Sequence, residues 1–451
     1  MTKQFIKEFN VDTSYLTKEE LEALKKLVEA AELIADVYAI QLRDGFYPKG
    51  ATRHEIEKAA AKNPAILSPY TVVERDKSGN LVAIPYHEKY KDLLIPVAKK
   101  LTEAAQIATS HNDFRKALLA QAKSLLEGNY DQAQIAWLKI NPYILDIVIG
   151  PLERVEDNMF FVKRSYQAWV GMMDKNITDR INGLKEIVFS ARRQVLPSEG
   201  VDFMDKTQLR ADETIIMSGM IANYNYTATT LPNDIEILEK YGSEGWVFLP
   251  LVRKNFEDCQ YPLFNLIFAP FFKNSFSQGQ LLRGYQLLIA IHEIARIVVR
   301  YRFATDRLKE LYPIFNEAAI EALAIKMAGT MLLKDVISQK EMEAVLVMFV
   351  TRMFDGYFEK MDQKSASEPL VQSNAIMLNS LISKGSLQLT KDGMSWPNFT
   401  KMYIAVAELA DELEKILAEG TYKDAYNYMQ KSSSLDVFQK FSKALKNLQR
   451  D

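Results

Sequence analysis

Cysteine and histidine are scarce in this sequence. Its 451 residues contain a single cysteine, Cys259, and four histidines. One cysteine cannot form a disulfide within the chain, and zinc sites built from several cysteines are excluded. The scarcity of cysteine fits a reducing compartment.

Strong net charge and long apolar runs are absent as well. The 56 basic and 58 acidic residues give a net charge of -2, so the chain lacks the positive surface that binds nucleic acid or anionic lipid. The longest apolar run, residues 261–272, contains Pro262 and Pro270 and is too short to span a bilayer. Residues 1–16 lack the apolar core of a signal peptide. We therefore expect a cytoplasmic protein without a nucleic-acid or membrane partner.

The sequence divides into a mixed part and a helical part. Residues 1–275 combine helical periodicity with short β-type runs, such as 70–74 and 81–84 on either side of a turn at 76–80. Residues 276–451 have helical periodicity almost throughout, with an interruption near 384–397. We predict an α+β fold that is predominantly α. Small sheet or barrel elements are expected in the first part, and the two parts are expected to interleave.

Individual elements are predicted from caps and periodicity. Thr17 and Glu20 form a capping box that opens a helix ending near Leu42. Further helices are predicted near residues 53–62, 87–107, 113–126 and 178–195, and strands near 146–151, 214–217 and 246–249. The aromatic segment 159–172 is compatible with a strand or a helix, and a strand is preferred.

A histidine interrupts an otherwise apolar helix at residues 287–296. In zinc peptidases with the pattern His-Glu-x-x-His, two imidazoles lie one helical turn apart and the glutamate is the general base. Here His292 and Glu293 are present, but the fifth residue is Arg296 and the sixth is Ile297. His-Glu pairs also occur at 54–55 and 87–88, so the pair alone does not identify a metal site. A lone histidine in such a helix is more often a core residue than a ligand.

Several stretches of the chain resemble the dipeptidyl peptidase III family of zinc exopeptidases, in particular its shorter bacterial members. The resemblance rests first on residues 149–157, Ile-Gly-Pro-Leu-Glu-Arg-Val-Glu-Asp, and on residues 316–324, Asn-Glu-Ala-Ala-Ile-Glu-Ala-Leu-Ala. Further similar stretches are residues 46–48, 68–73, 231–234, 308–312, 373–376 and 418–422. Together they follow the family's order over nearly the whole chain.

The resemblance implies a two-lobed, zincin-like fold with a cleft between a mixed α/β lobe and a helical lobe. It also implies that His292 is the first zinc ligand, Glu317 the third ligand and Glu293 the general base. Glu321 stands where the family has an acidic residue that orients a ligating histidine, a role whose loss alone costs about 10- to 100-fold in affinity or activity.

Peptides with free N-termini are the ligands that the resemblance implies. Glu153 matches the acid that receives the free amino group, and Asn233 matches an asparagine that binds the same amine. Val155 stands where the family has a tyrosine, and Thr230 stands at the position that partners the asparagine. The amine site is therefore retained only in part.

The remaining departures concern the zinc chemistry. The second histidine is missing, and residues 298–302 replace a glycine-rich segment, so we expect the zinc-type helix to continue through them. The family histidine that stabilises the transition state falls near Leu370. Catalytic zinc needs three protein ligands and an open position, whereas this helix pair offers two. Arg296 could instead replace the metal by a charge-assisted bond to Glu293 or Glu317.

Three hypotheses remain open. The leading one is a pseudoenzyme with a degraded zinc site, without a metal cofactor, that at most binds peptides. The rival is an active exopeptidase that releases dipeptides through an atypical ligand, such as Glu321 or water, or with cobalt or manganese. The third is an interaction scaffold that has no ligand. The oligomeric state is left open.

Overall fold

The chain forms two compact units that alternate along the sequence. The computed structural model describes residues 3–140, 143–193, 206–224, 226–232, 234–299, 301, 303–355, 369–396 and 398–448. The sheet unit comprises Met1–Thr178 and Asp205–Pro250, and the helical unit comprises Asp179–Met204 and Leu251–Asp451. Within the described residues, no helix has the length and apolar character needed to cross a membrane.

The regular elements are numbered in chain order. The helices are α1 (Lys18–Asp44), α2 (Arg53–Ala60), α3 (Tyr86–Lys89), α4 (Lys91–Ile107), α5 (Asn112–Glu127), α6 (Tyr130–Trp137), α7 (Lys175–Arg193), α8 (Met220–Asn223), α9 (Ile235–Tyr241), α10 (Leu249–Asn255), α11 (Tyr261–Ile267), α12 (Pro270–Lys273), α13 (Gln278–Val298), α14 (Ala304–Leu308), α15 (Tyr312–Leu333), α16 (Gln339–Arg352), α17 (Pro369–Ser383), α18 (Phe399–Glu419), α19 (Tyr422–Ser432) and α20 (Asp436–Leu448). The strands are β1 (Ile6–Glu8), β2 (Thr71–Arg75), β3 (Leu81–Pro85), β4 (Leu145–Glu153), β5 (Ser165–Met173), β6 (Gln208–Gly219), β7 (Ala228–Leu231), β8 (Glu244–Phe248), β9 (Gln388–Thr390) and β10 (Gly393–Ser395).

A mixed sheet forms the centre of the sheet unit. Its strands follow the order β4-β5-β6-β8-β7, and the neighbouring pairs are antiparallel except for the parallel pair β6 and β8. β6 also pairs with β1, with Ile6 opposite Ser218. The edge of β6 that faces away from β5 therefore pairs with two strands, with β8 along its first part and with β1 along its last part.

Helix α1 begins at a capping box and packs its apolar face against this sheet. Thr17 caps the first turn and Glu20 completes the capping box, as predicted. The buried face of α1 packs against β5, β6 and α4. On this face, Oε1 of Gln41 accepts a hydrogen bond from the backbone nitrogen of Tyr166 at 2.8 Å. The bond connects the end of the helix to β5.

The predicted hairpin is present, and the predicted central strands are shifted. β2 pairs with β3, with Thr71 opposite Pro85. The strand predicted at 146–151 continues to Glu153, because a register shift between Pro151 and Glu153 keeps it paired with β5. The strand predicted at 159–172 is wrong at its start, since β5 begins at Ser165. The helix predicted at 87–107 is divided at Tyr90 into α3 and α4.

One aspartate explains the late start of β5. The carboxylate of Asp157 accepts hydrogen bonds from the backbone nitrogens of Met159, Phe160, Val162 and Lys163 at 2.9–3.1 Å. These bonds satisfy the backbone in a loop, so the aromatic segment does not need a strand partner.

Helix α13 is the buried centre of the helical unit. Ser277 caps its first turn, and Gln280 completes a capping box. Its buried residues lie on all sides, which is the pattern of a helix that neighbours surround. It packs against α15 and α16. At Gly284 the two helices α13 and α16 are close together, because an added Cβ would lie 2.6 Å from the Cβ of Ala344.

The prediction that this helix continues through residues 298–302 is wrong. α13 ends at Val298, and Val299 leaves the helical region with φ -84° and ψ 81°. Ile297, Val298 and Val299 are three successive β-branched residues, which have a slightly lower helix propensity. Further along, the interruption predicted near 384–397 contains the hairpin β9–β10.

Candidate functional site

Helices α13 and α15 bring five of the predicted side chains together, those of His292, Glu293, Arg296, Glu317 and Glu321. His292 and Arg296 lie one turn apart on α13, so they point to the same side of that helix. Glu317 and Glu321 are also one turn apart on α15, and the two helices pack against each other. The contacts between these side chains all lie within the helical unit.

The imidazole of His292 faces three carboxylates and is 1% exposed. Its Nδ1 lies 3.2 Å from Oε1 of Glu321. Its Nε2 lies 3.9 Å from Oε1 of Glu317 and 3.9 Å from Oε1 of Glu293. The two ring nitrogens therefore face different carboxylates, with Glu321 on the Nδ1 side and with Glu317 and Glu293 on the Nε2 side.

The guanidinium of Arg296 contacts the Nε2 side of this ring. Its Nη2 lies 3.3 Å from Nε2 of His292 and 3.8 Å from Oε2 of Glu317. Because a guanidinium can only donate, Nε2 is the acceptor, which places the ring proton on Nδ1, facing Glu321. Glu293 and then Glu317 raise the pKa of Arg296. The side chain nevertheless remains 46% exposed, so its charge is partly hydrated.

A second arginine, Arg352 at the end of α16, pairs with Glu321. Its Nη1 lies 2.8 Å from Oε1 of Glu321. Burial raises the pKa of Glu321, but Arg352 and then His292 lower it by more, to about 2. Sequence reasoning missed Arg352. A cation within the run 344–354, which is apolar apart from Thr351 and Arg352, was a sign that could have identified it, since arginine is rarely placed among buried residues unless it is paired.

Polar contacts continue beyond Arg352 to Asp355. Oδ1 of Asp355 accepts from Sγ of Cys259 at 3.1 Å, and Oδ2 accepts from Nε2 of Gln260 at 2.8 Å. Burial raises the pKa of Asp355. The single cysteine thus contacts a carboxylate that is part of the same polar region.

Comparison with solved structures shows the fold. No family model matches the chain. The structure of dipeptidyl peptidase III from Caldithrix abyssi has a TM-score of 0.84 and 22% identity, covering 96% of this chain and 93% of that one. The chain has a dipeptidyl peptidase III fold. The structure of dipeptidyl-peptidase III from Corallococcus sp. strain EGB has a TM-score of 0.76 and 18% identity, covering 99% of this chain and 96% of that one.

A curated relative is similar over part of its length. Nudix hydrolase 3 of Arabidopsis thaliana is 23% identical over 388 residues, which make up 83% of this chain and 48% of that protein. The chain therefore spans about half the length of this relative. The predicted fold class, α+β and mostly helical, is confirmed by the dipeptidyl peptidase III structures.

The peptide-binding positions implied by the resemblance lie in the sheet unit. Glu153 is the last residue of β4 and is half-buried. Asn233 lies outside the described residues. Val155 packs against the buried cluster of Phe5, Tyr38 and Met220, so the position of the family tyrosine contributes to packing. In the helical unit, Leu370, near which the resemblance places a histidine, is 39% exposed.

The zinc ion implied by the dipeptidyl peptidase III fold does not fit these residues as they stand. His292, Glu317 and Glu321 offer donor atoms that lie within 4.8 Å of one another. However, Arg296 contacts His292 and Glu317, and Arg352 contacts Glu321. Catalytic zinc needs three protein ligands and one open position. The guanidinium of Arg296 thus engages Nε2 of His292 and Glu317, whereas Arg352 engages Glu321 on the Nδ1 side of the ring.

Proposed function

We propose that this chain is derived from dipeptidyl peptidases of type III, that it does not hydrolyse peptides through zinc, and that it binds, at most, peptides with free N-termini. The observation that carries the proposal is the 3.3 Å distance between Nη2 of Arg296 and Nε2 of His292. In the family that the chain resembles, this nitrogen position belongs to a zinc ligand. A guanidinium that donates to its lone pair competes directly with a metal.

Charge repulsion supports the same proposal. A divalent ion about 5 Å from a guanidinium charge is repelled by about 6–7 kcal/mol at an effective dielectric constant of about 20. Water screens part of this repulsion, because 46% of the Arg296 side chain is exposed. The ion would also have to separate Arg296 from Glu317. The balance of charges therefore favours the arginine over zinc.

The direct test is metal analysis of the native protein purified without a chelator. We expect less than stoichiometric zinc, and no release of dipeptides from peptides with a free N-terminus. One equivalent of tightly held zinc, together with dipeptide release that a chelator abolishes, would contradict the proposal.

Peptide binding depends on Glu153 in this proposal, because a carboxylate is the partner that a free ammonium group requires. Calorimetric titration should detect binding of a peptide with a free N-terminus and none of its N-acetylated form. Glu153→Gln should weaken that binding while leaving the far-ultraviolet circular dichroism unchanged. If neither peptide binds the native chain, the interaction scaffold is the better description.

A second candidate is a metallopeptidase with an atypical ligand set. It is favoured by one observation, the donor atoms of His292, Glu317 and Glu321 within 4.8 Å of one another. One nitrogen and two oxygens suit harder ions such as manganese or cobalt. This candidate requires activity with added metal that is lost in Glu293→Ala and kept in Arg296→Ala.

A further inference from the structure

Two side chains next to Arg296, those of His292 and Glu317, have nearly the spacing of two ligands of one metal ion. Nε2 of His292 and Oε1 of Glu317 lie 3.9 Å apart. Two ligands about 2.1 Å from a tetrahedral zinc ion lie about 3.4 Å apart. A small movement of the Glu317 side chain, which is 24% exposed, would therefore bring both atoms to ligand distance.

The support behind His292 is also in place. Nδ1 faces Oε1 of Glu321 at 3.2 Å, and Arg352 lies 2.8 Å from that oxygen. A carboxylate behind a ligating histidine fixes the ring orientation and directs the other nitrogen to the metal. Arg352 is therefore a positioning residue that acts through Glu321.

We infer that the guanidinium of Arg296 occupies a zinc site that is otherwise intact, so that a positive charge of the chain itself takes the place of the ion. Replacing this one side chain by an imidazole should restore zinc binding at this latent zinc site. The inference rests on the proposed function, because it takes the native chain to be free of zinc. Position 296 is one turn from His292 on α13, which is the spacing at which two imidazoles bind one ion. The side chain at this position is 46% exposed, so an imidazole can be accommodated without repacking a core.

The test separates two effects of residue 296: the positive charge that arginine carries, and the lack of a metal-binding atom at this position. Native protein, Arg296→Lys, Arg296→Met and Arg296→His are each loaded with zinc chloride, dialysed against zinc-free buffer and analysed for metal by mass spectrometry. Arg296→His should retain about one zinc per chain, the number that one three-ligand site holds. The native chain and the other two variants should retain none, because lysine keeps the charge and methionine supplies no nitrogen ligand.

Two further variants locate the restored site. Arg283→His introduces the same residue at an exposed position of the same helix and should retain no zinc. Combining Arg296→His with Arg352→Ala should weaken zinc binding by about 10- to 100-fold, the usual effect of losing the support behind a ligand. Circular dichroism and thermal unfolding confirm that each variant is folded.

The outcomes distinguish this inference from the proposed function. Zinc in the native protein contradicts the proposed function itself. A folded Arg296→His that retains no zinc overturns the latent site, even when the native chain is free of metal. Zinc retention by Arg296→Met or by Arg283→His equal to that of Arg296→His overturns the assignment of position 296 as the missing ligand.

Discussion

At the scale of single residues, the surroundings of His292 show which contacts can be predicted from helical spacing and which cannot. Positions four apart on one helix share a face, so the meeting of His292 with Arg296, and of Glu317 with Glu321, could be predicted from the sequence. The contact of Arg352 with Glu321 could not be predicted in this way, because it joins α15 to α16. Contacts between different helices join residues that are far apart in sequence, and helical periodicity does not predict them.

The ion pair of Glu321 predicts a loss of stability in acid. Its pKa falls from the ordinary 4.5 to about 2 in the folded protein. A lowered carboxyl pKa contributes stability that is fully present above about 4.5 and is lost as the pH falls toward 2. At about 1.4 kcal/mol per pKa unit, this contribution is on the order of 3 kcal/mol.

Urea unfolding of the native protein and of Glu321→Gln between pH 2 and pH 6 measures this contribution. The glutamine variant should be less stable near pH 6, since Arg352 loses its charged partner, and the difference should shrink toward pH 2. Parallel stability curves over the whole range would show that Glu321 does not titrate as the structure requires.

At the scale of elements, the starts of helices are easier to predict than their ends. Capping boxes mark the starts of α1 and α13, through Thr17 with Glu20 and Ser277 with Gln280. The end of α13 lacks such a marker, since no glycine follows Val298. Short strands are also hard to predict. β1 depends on a partner that is distant in sequence, as in the pairing of Ile6 with Ser218.

The close packing of α13 on α16 predicts an unusual effect at Gly284. Alanine normally stabilises a helix by up to about 1 kcal/mol relative to glycine. Here its Cβ would lie 2.6 Å from the Cβ and 2.7 Å from the carbonyl carbon of Ala344. Overpacking of this kind costs about 1–3 kcal/mol. Gly284→Ala should therefore lower the free energy of unfolding, by about 1 kcal/mol in net terms.

A matched control lies on the same helix. At Gly279 an added Cβ would meet only the end of the Arg283 side chain, at 3.8 Å. Gly279→Ala should leave the stability unchanged or raise it in the same urea experiment. If both variants are stabilised equally, the two helices are not as close as described.

At the scale of the whole molecule, the division into units follows contacts that local sequence does not report. The sequence pattern changes from mixed to helical periodicity near residue 275, whereas the compact units change at Pro250 and Leu251. The segment Asp179–Met204 belongs to the helical unit although it lies between two parts of the sheet unit. Local periodicity identifies helices and strands, but long-range packing decides which of them form one unit.

The proposed absence of bound zinc also predicts the thermal behaviour of the whole chain. A ligand that binds only the folded state stabilises it by about 2.7 kcal/mol at a concentration of 100 times Kd. Calorimetric scans of the native chain should therefore give the same unfolding midpoint with zinc, with a chelator and with neither. In Arg296→His, zinc should raise the midpoint of the transition that unfolds the helical unit, because that unit holds His292 and Glu317. A native midpoint that rises with zinc and falls with a chelator would show that the arginine does not exclude the metal.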